Sequence, residues 1–262
     1  MLPSLVLGTA PHRRIVGRPR LLEPEVWCYP LAMAFSLDVA TSWMASVARG
    51  GAGMTTHFKD KTPDQLLELY EFEACPFCRI AREALSELDL DAMIFPCPNG
   101  GTRFRPLVEQ RGGKAQFPFL VDPNTGETLY ESADIARYLA THYGSPSHRR
   151  STPGVLAKAT SAIASAFRPR KGRVATPSRL PEQPLELYSF EASPYCRIAR
   201  EALSSLELPY LLHNVGKQGA RRDAFVARSG KMQVPYLVDP NTSVAMFESA
   251  DIVRYLEQTY RV

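Results

Sequence analysis

The sequence predicts an α/β chain of two tandem βαβαββα units behind an N-terminal extension, and three observations carry that expectation. The first is an internal repeat. Leu67 to Leu139 contains LELYEFEACPFCRIAREALSELDL and QFPFLVDPNTGETLYESADIARYL, and Leu185 to Leu256 contains LELYSFEASPYCRIAREALSSLELPY and QVPYLVDPNTSVAMFESADIVRYL. The offset is 118 between Tyr70 and Tyr188 and 117 between Glu131 and Glu248, so one residue is lost between the copies. The second is an apolar pattern that switches between strand and helix periods inside each copy. The third is an ordinary globular composition, 45% apolar and 22% charged over 262 residues.

Leu67 to Phe72 is a short, mostly apolar run and predicts a strand. Cys75-Pro76-Phe77-Cys78 follows, after which Ile80, Ala84, Leu85 and Leu88 recur at helical spacing, so the cysteines fall in the first turn of a helix. Ala92 to Phe95 and its counterpart Tyr210 to His213 predict a second strand, and Leu107 to Arg111 or Ala224 to Arg228 a short helix. Phe119 to Asp122 and Thr128 to Tyr130 predict a hairpin, because the Pro, Asn and Gly between them favour a turn. Ser132 is a candidate N-cap for a last helix from Ala133 to His142. The order βαβαββα, with cysteines at the first strand–helix junction, is that of a thioredoxin-like or glutaredoxin-like fold. The expected division is an extension over 1–66, copy 1 over 67–143, a linker over 144–184 and copy 2 over 185–262.

The first 22 residues carry Arg13, Arg14, Arg18 and Arg20 with no acid before Glu23, which suits an organelle transit segment or a disordered basic start. The apolar run Leu2 to Leu7 is short and has no charged region before it, which argues against a secretory signal. Leu31, Phe35, Val39, Trp43 and Val47 are spaced by four and predict a helix docked on a domain by that stripe, since its polar side lacks the basic residues of a membrane-surface helix. The linker carries Arg149, Arg150, Lys158, Arg168, Arg170, Lys171, Arg173 and Arg179 against Glu182 alone. It reads as a basic patch for an anionic membrane surface or acidic partner, or as a solvated connection around a short helix over Val155 to Phe167. No apolar run approaches the roughly 20 residues of a membrane span, and a net charge of +4 is too small to imply a nucleic-acid partner.

Five cysteines, Cys28, Cys75, Cys78, Cys97 and Cys196, argue against a secreted disulfide scaffold. A thiolate is the reactive form of cysteine, and a helix N-terminus stabilises one at Cys75 through unpaired N–H groups, with Arg79 and Arg82 adding positive charge. Cys78 stands one turn on, placed to resolve a mixed disulfide formed at Cys75. Zinc would need four ligands, and no second such pair accompanies this one, so no metal is expected. Cys97 reads as a buried strand-end cysteine or as a relay thiol, and Cys28 has no motif. In copy 2, Ser193 replaces the first cysteine while Cys196 keeps the second, which excludes two-cysteine exchange there. Ser193 is left to cap its helix or to orient a glutathione thiolate. Phe117-Pro118 and Val234-Pro235 precede strands, where a cis bond leaves the preceding N–H and C=O free for an extended peptide. Glu131-Ser132 and Glu248-Ser249 stand at a helix N-terminus that offers Ser and N–H groups to a carboxylate and Glu to an amine, the two charges of a γ-glutamyl group.

These motifs resemble the N-terminal, thioredoxin-fold domain of glutathione S-transferases, and more closely a tandem type from plant and algal plastids and cyanobacteria. The resemblance covers about Leu67 to Tyr143 and Leu185 to Tyr260, and is carried by CPFCR, QFPFLVDPNTG and YESADI with SPYCR, QVPYLVDPNT and FESADI. It implies that Phe117 and Val234, each before a cis-proline (Pro118, Pro235), pair with the glutathione cysteinyl backbone. It also implies that Glu131-Ser132 and Glu248-Ser249 hold the γ-glutamyl end. Glutathione is the implied cosubstrate, a disulfide-bearing protein a further partner, and the plastid, otherwise the cytoplasm, the implied location. A complete glutathione transferase adds a long helical domain that builds the electrophile pocket, whereas here a second copy follows. The leading expectation is therefore a glutathione-dependent thiol-disulfide oxidoreductase working through Cys75 and Cys78, with Ser193 and Cys196 in a glutathione- or partner-binding copy. The alternatives are a transferase or dehydroascorbate-reductase-like enzyme, and a non-catalytic glutathione-binding or iron-sulfur-carrying module.

Overall fold

The computed structural model describes residues 20–21, 30–56, 60–145 and 155–262, so Cys28 and nearly all of the basic start lie outside the described residues. A short strand β1 (Arg20–Leu21) and helix α1 (Pro30–Ala48) come first. Copy 1 follows as β2 (Leu67–Glu71), α2 (Pro76–Glu87), β3 (Ala92–Pro96), α3 (Arg105–Gly112), β4 (Phe119–Asp122), β5 (Glu127–Tyr130) and α4 (Ser132–His142). Helix α5 (Val155–Ala166) leads into copy 2, which runs β6 (Leu185–Ser189), α6 (Pro194–Ser205), β7 (Tyr210–Asn214), α7 (Arg222–Ser229), β8 (Tyr236–Asp239), β9 (Val244–Met246) and α8 (Ser249–Tyr260). The expected βαβαββα order holds in both copies.

Alternation along β2 sorts the side chains. Leu67 and Leu69 face the core beside Ile80, Ala84 and Leu85 of α2 and Leu139 of α4, while Tyr70 joins Phe95, Phe104 and Phe119 on the α3 side. Pro76 opens α2 at a position that needs no hydrogen-bond donor. All strands form one sheet in the order β1-β9-β8-β6-β7-β3-β2-β4-β5. The joint is the antiparallel pair β3–β7, with Ala92 opposite Leu212 and Ile94 opposite Tyr210. Each copy thus covers the other's open edge, and one apolar core continues through both.

The two copies are related by a pseudo-two-fold through that joint, and the repeat proves longer than the motifs suggested. At an offset of 119, Thr41, Ser42, Ala45, Ser46, Arg49 and Gly53 match Thr160, Ser161, Ala164, Ser165, Arg168 and Gly172. The contacts repeat with them, and they are exchanged. Ser42 Oγ donates to the Pro194 carbonyl of copy 2 (2.8 Å), and Ser161 Oγ to the Pro76 carbonyl of copy 1 (2.6 Å). Arg49 pairs with Glu83, and Arg168 with Glu201. Each leading helix therefore roofs the motif of the other copy.

This corrects the expected docking face of α1. Trp43 is 49% and Val47 71% exposed, whereas Ser42, Ala45 and Ser46 are buried. Beneath α1 lie the Pro194 carbonyl, to which Ser42 donates, and the guanidinium of Arg197, whose Nη1 donates to the Ser42 and Ser46 hydroxyls, so small polar residues dock there and Trp43 and Val47 do not. The linker helix is likewise packed, not solvated, and Arg168 is withdrawn from any basic surface.

At the axis, α2 and α6 bring together buried charges. Arg82 meets Glu71, Glu73 and Glu191, and Arg200 meets Glu73 and Glu191.

Candidate functional site

Cys75 is the N-cap of α2, and its Sγ accepts from the Cys78 N–H at 3.3 Å. The Cys78 thiol and the Cys78 and Phe77 N–H groups hold the Cys75 thiol below the ordinary cysteine value, against the opposing effect of burial. Burial pushes the Cys78 thiol well up, and its hydrogen bond to Cys75 adds to this. The pair is thus divided into Cys75 with a lowered thiol, 4% exposed, and Cys78 with a raised thiol and no exposure. Cys97 is buried among Tyr70, Phe95 and Phe104, with its thiol turned to the Phe95 carbonyl at 3.4 Å.

The rest of the site surrounds this helix start. The Phe117–Pro118 and Val234–Pro235 bonds are cis. Neither Phe117 nor Val234 engages its backbone N–H or C=O in a hydrogen bond among the described residues. The Phe117 ring meets Phe72 edge-on at 6.3 Å, and Phe72 lines a cavity of about 250 Å³ with Cys75 and Pro76. The N-cap of α4 is Glu131, not Ser132, and in copy 2 it is Glu248, not Ser249. Both glutamates stand in the left-handed region, at φ 64° and 65°, where a side chain costs about 1–3 kcal/mol, a strain found chiefly at functional sites. Gln116 Nε2 donates to Glu131 at 2.5 Å, and Gln233 does the same to Glu248. Ser132 and Ser249 are buried, and neither Oγ has a partner. Each of these two equivalent hydroxyls costs about 1–3 kcal/mol if left unpaired.

In copy 2, Ser193 caps α6 by accepting from the Cys196 N–H at 3.3 Å. Cys196 is buried, and burial raises its thiol. Copy 2 thus repeats the cis-proline, the Glu248 N-cap and the orphan Ser249 hydroxyl, with a raised thiol at Cys196 in place of a lowered one.

The glutathione S-transferase N-terminal domain model matches residues 69–147 and 187–261. The chain belongs to this family. It is also 38% identical over 69 residues to the glutathione S-transferase-like protein tpcF of Aspergillus fumigatus, a stretch that makes up 26% of this chain and 30% of that one. A trimeric glutathione transferase of Leishmania overlaps 74% of this chain and 67% of its own, at 14% identity and a TM-score of 0.27, too low to carry an argument.

Between these two glutathione S-transferase N-terminal domains, sequence reading overlooked how α5 completes the site. Ala162, Ser165 and Ala166 of α5, with Pro169 and Arg173 just beyond, form the far wall of the Cys75 cavity. The T-S-x-x-A-S-x-x-R-x-x-x-G pattern shared by residues 41–53 and 160–172 was the available signal. Among the described residues no group of three or more His, Cys, Asp or Glu is arranged to hold a metal ion, and no helix is long and apolar enough to cross a membrane.

Proposed function

We propose that the protein is a glutathione-dependent thiol-disulfide oxidoreductase in which copy 1 performs the exchange and copy 2 binds glutathione or a partner. The observation that carries this reading is the division of the CPFC pair, a lowered Cys75 thiol fed by hydrogen bonds from Cys78. Glutathione lies along Phe117 and Pro118, with its γ-glutamyl carboxylate on the Ser132 hydroxyl and the α4 N-terminus and its ammonium toward Glu131. In copy 2 the same roles fall to Val234, Pro235, Ser249 and Glu248.

The Cys75 thiolate attacks the glutathione sulfur of a mixed disulfide. A Cys75–glutathione S–S bond forms, the original S–S bond breaks, and the substrate leaves as a thiolate that takes a proton. The thiolate of a second glutathione then attacks the glutathione sulfur, releasing oxidised glutathione and restoring the Cys75 thiolate. Cys78 supplies the alternative closure by attacking Cys75 Sγ and expelling glutathione. Its burial and raised thiol favour the route through the second glutathione.

Cys75→Ser is expected to abolish glutathione-dependent reduction of a small glutathione mixed disulfide, with Ser193→Ala leaving it in place. Unchanged turnover by Cys75→Ser refutes the assignment. The proposal extends to residence in plastids, in keeping with the Arg-rich start.

A further inference from the structure

The wall that α5 gives to the Cys75 cavity lies outside both family-matched stretches, since Ala162, Ala166 and Pro169 stand between residues 69–147 and 187–261. It comes from the exchange of leading helices, and the two copies can be compared across it. At the offset of 119 that relates those helices, Ala162 and Ala166 correspond to Trp43 and Val47 of α1. The contacts that seat the helices are the same on both sides, Ser161 on the Pro76 carbonyl and Ser42 on the Pro194 carbonyl. Where copy 1 meets two methyl groups, the equivalent positions over copy 2 carry an indole and an isopropyl group. With the helices seated alike, side-chain size decides how much space stays open beside each motif.

Beside Cys75 that space is the cavity of about 250 Å³. Its lining is mostly apolar: Phe72, Ala74 and Pro76 of copy 1 join Ala162, Ala166 and Pro169, with Ser165 and Arg173 as the polar members. Ala162 and Ala166 are exposed, so the cavity opens to solvent along α5. An aliphatic cavity of about 150 Å³ accepts benzene, so one substituted ring fits here. Phe72 gives that ring an aromatic neighbour, and the Phe72 ring in turn meets Phe117 edge-on, beside the cis-proline. In copy 2 the residue before the cis-proline is Val234, so this aromatic pair is confined to the copy with the lowered thiol.

We infer that this cavity is the subsite for the non-glutathione half of the mixed disulfide, and that Ala162 and Ala166 set its size limit. The class of substrate is a disulfide in which the group on the departing sulfur is neutral, apolar and about one substituted ring in bulk. The inference deepens the proposed function and rests on it for the exchange step alone. In that step the Cys75–glutathione S–S bond forms as the old S–S bond breaks, and the departing sulfur keeps the bonding pair and takes a proton while its ring occupies the cavity.

Two maleimides read the subsite on the full chain. The Cys75 thiolate adds to the C=C bond, an S–C bond forms and the carbanion takes a proton from water, so the ratio of N-benzylmaleimide to N-methylmaleimide rates cancels changes in thiolate population. Read at Cys75 by mass spectrometry, that ratio is expected to fall about tenfold in Ala162→Trp and a few-fold in Ala166→Val. Both positions are exposed, and the matching positions of α1 already carry these side chains, so the fold accommodates them. A ratio equal to wild type in both variants overturns the inference. The unreactive N-benzylsuccinimide needs no thiol chemistry: it is expected to raise the wild-type melting temperature more than N-methylsuccinimide does, and Ala162→Trp to cancel the difference. Absence of that difference in wild type also overturns the site. The mixed disulfide of glutathione with phenylmethanethiol should turn over faster than that with 2-mercaptoethanol, and Ala162→Trp should remove the preference. Equal turnover of the two disulfides by wild type overturns the subsite. Turnover of neither, with N-benzylsuccinimide still stabilising, refutes the oxidoreductase reading and leaves the cavity standing as a binding site.

Discussion

Glu191→Gln is expected to destabilise the fold by about 3 kcal/mol at pH 7, and two independent routes lead to that figure. The carboxylate is fully buried and touches Arg82 at 3.0 Å and Arg200 at 2.8 Å. Burial alone would raise its pKa, but Arg200 and Arg82 outweigh this and bring it from 4.5 down to about 2. That drop is roughly 2.5 units, worth about 3 kcal/mol of preference for the charged form in the folded state. Breaking a buried ion pair by removing one partner costs about 3–5 kcal/mol, which agrees. The folded carboxyl titrates below the unfolded one, so its stabilisation is complete above pH 4.5 and is lost as pH falls toward 2. Urea unfolding at a series of pH values reads both parts. The variant should show a lower midpoint at pH 7 with an unchanged slope, and should lose less stability than wild type on acidification. Glu68→Gln, on a half-exposed pair with Arg111, is the comparison and should cost at most about 1 kcal/mol. A loss below about 1 kcal/mol for Glu191→Gln refutes the claim that the axis cluster holds the copies together.

Ser132→Ala should weaken glutathione binding about tenfold in calorimetry without lowering the urea midpoint, because the hydroxyl caps nothing; a destabilised variant with unchanged affinity refutes this. His213, which Asp91 (3.0 Å) and Glu186 (3.7 Å) hold above its ordinary 6.5 despite burial, should stabilise the β3–β7 joint below pH 6.5 and lose that contribution as pH rises through the raised value. His213→Gln should remove that alkaline decline in unfolding midpoint, and an unaltered profile refutes the role. Residues 1–66 fused to a fluorescent protein should direct it to plastids in a plant or algal cell, and diffuse cytoplasmic signal refutes plastid residence.

The fold was legible because each copy uses local chemistry that reads without context. Pro76 after a strand, the Pro-Asn-Thr turn and the i, i+4 run of Ile80 and Ala84 specify their elements alone. The places of Cys75 and Cys78 were equally plain, at the N-cap and in the first turn of a helix that follows a strand. Ser132 was misplaced by one residue because Glu131 takes a left-handed conformation that residue identity does not favour. The face of α1 was misjudged for a different reason. Apolar periodicity finds the buried side of a helix only where the partner surface is apolar, and beneath Ser42 and Ser46 lies the guanidinium of Arg197. Arg79 and Arg197 look alike in CPFCR and SPYCR, so their different surroundings are visible only in three dimensions.

The two copies therefore differ at two linked places, the N-cap atom and the arginine four residues on. Where the cap is Ser193, Nη1 of Arg197 donates to Ser42 and Ser46 of the roofing helix. Where the cap is Cys75, Nε and Nη1 of the buried Arg79 have no hydrogen-bond partner. Because α5 belongs to the chain leading into copy 2 yet roofs copy 1, copy 2 cannot be removed together with its leading helix without uncovering the motif of copy 1. A protein cut after Tyr143 should keep Cys75 but lose the cavity wall formed by α5, so iodoacetamide should alkylate its thiol faster than in the full chain. An unchanged alkylation rate in that fragment would show that copy 1 is self-sufficient and that the exchanged helix does not shield Cys75.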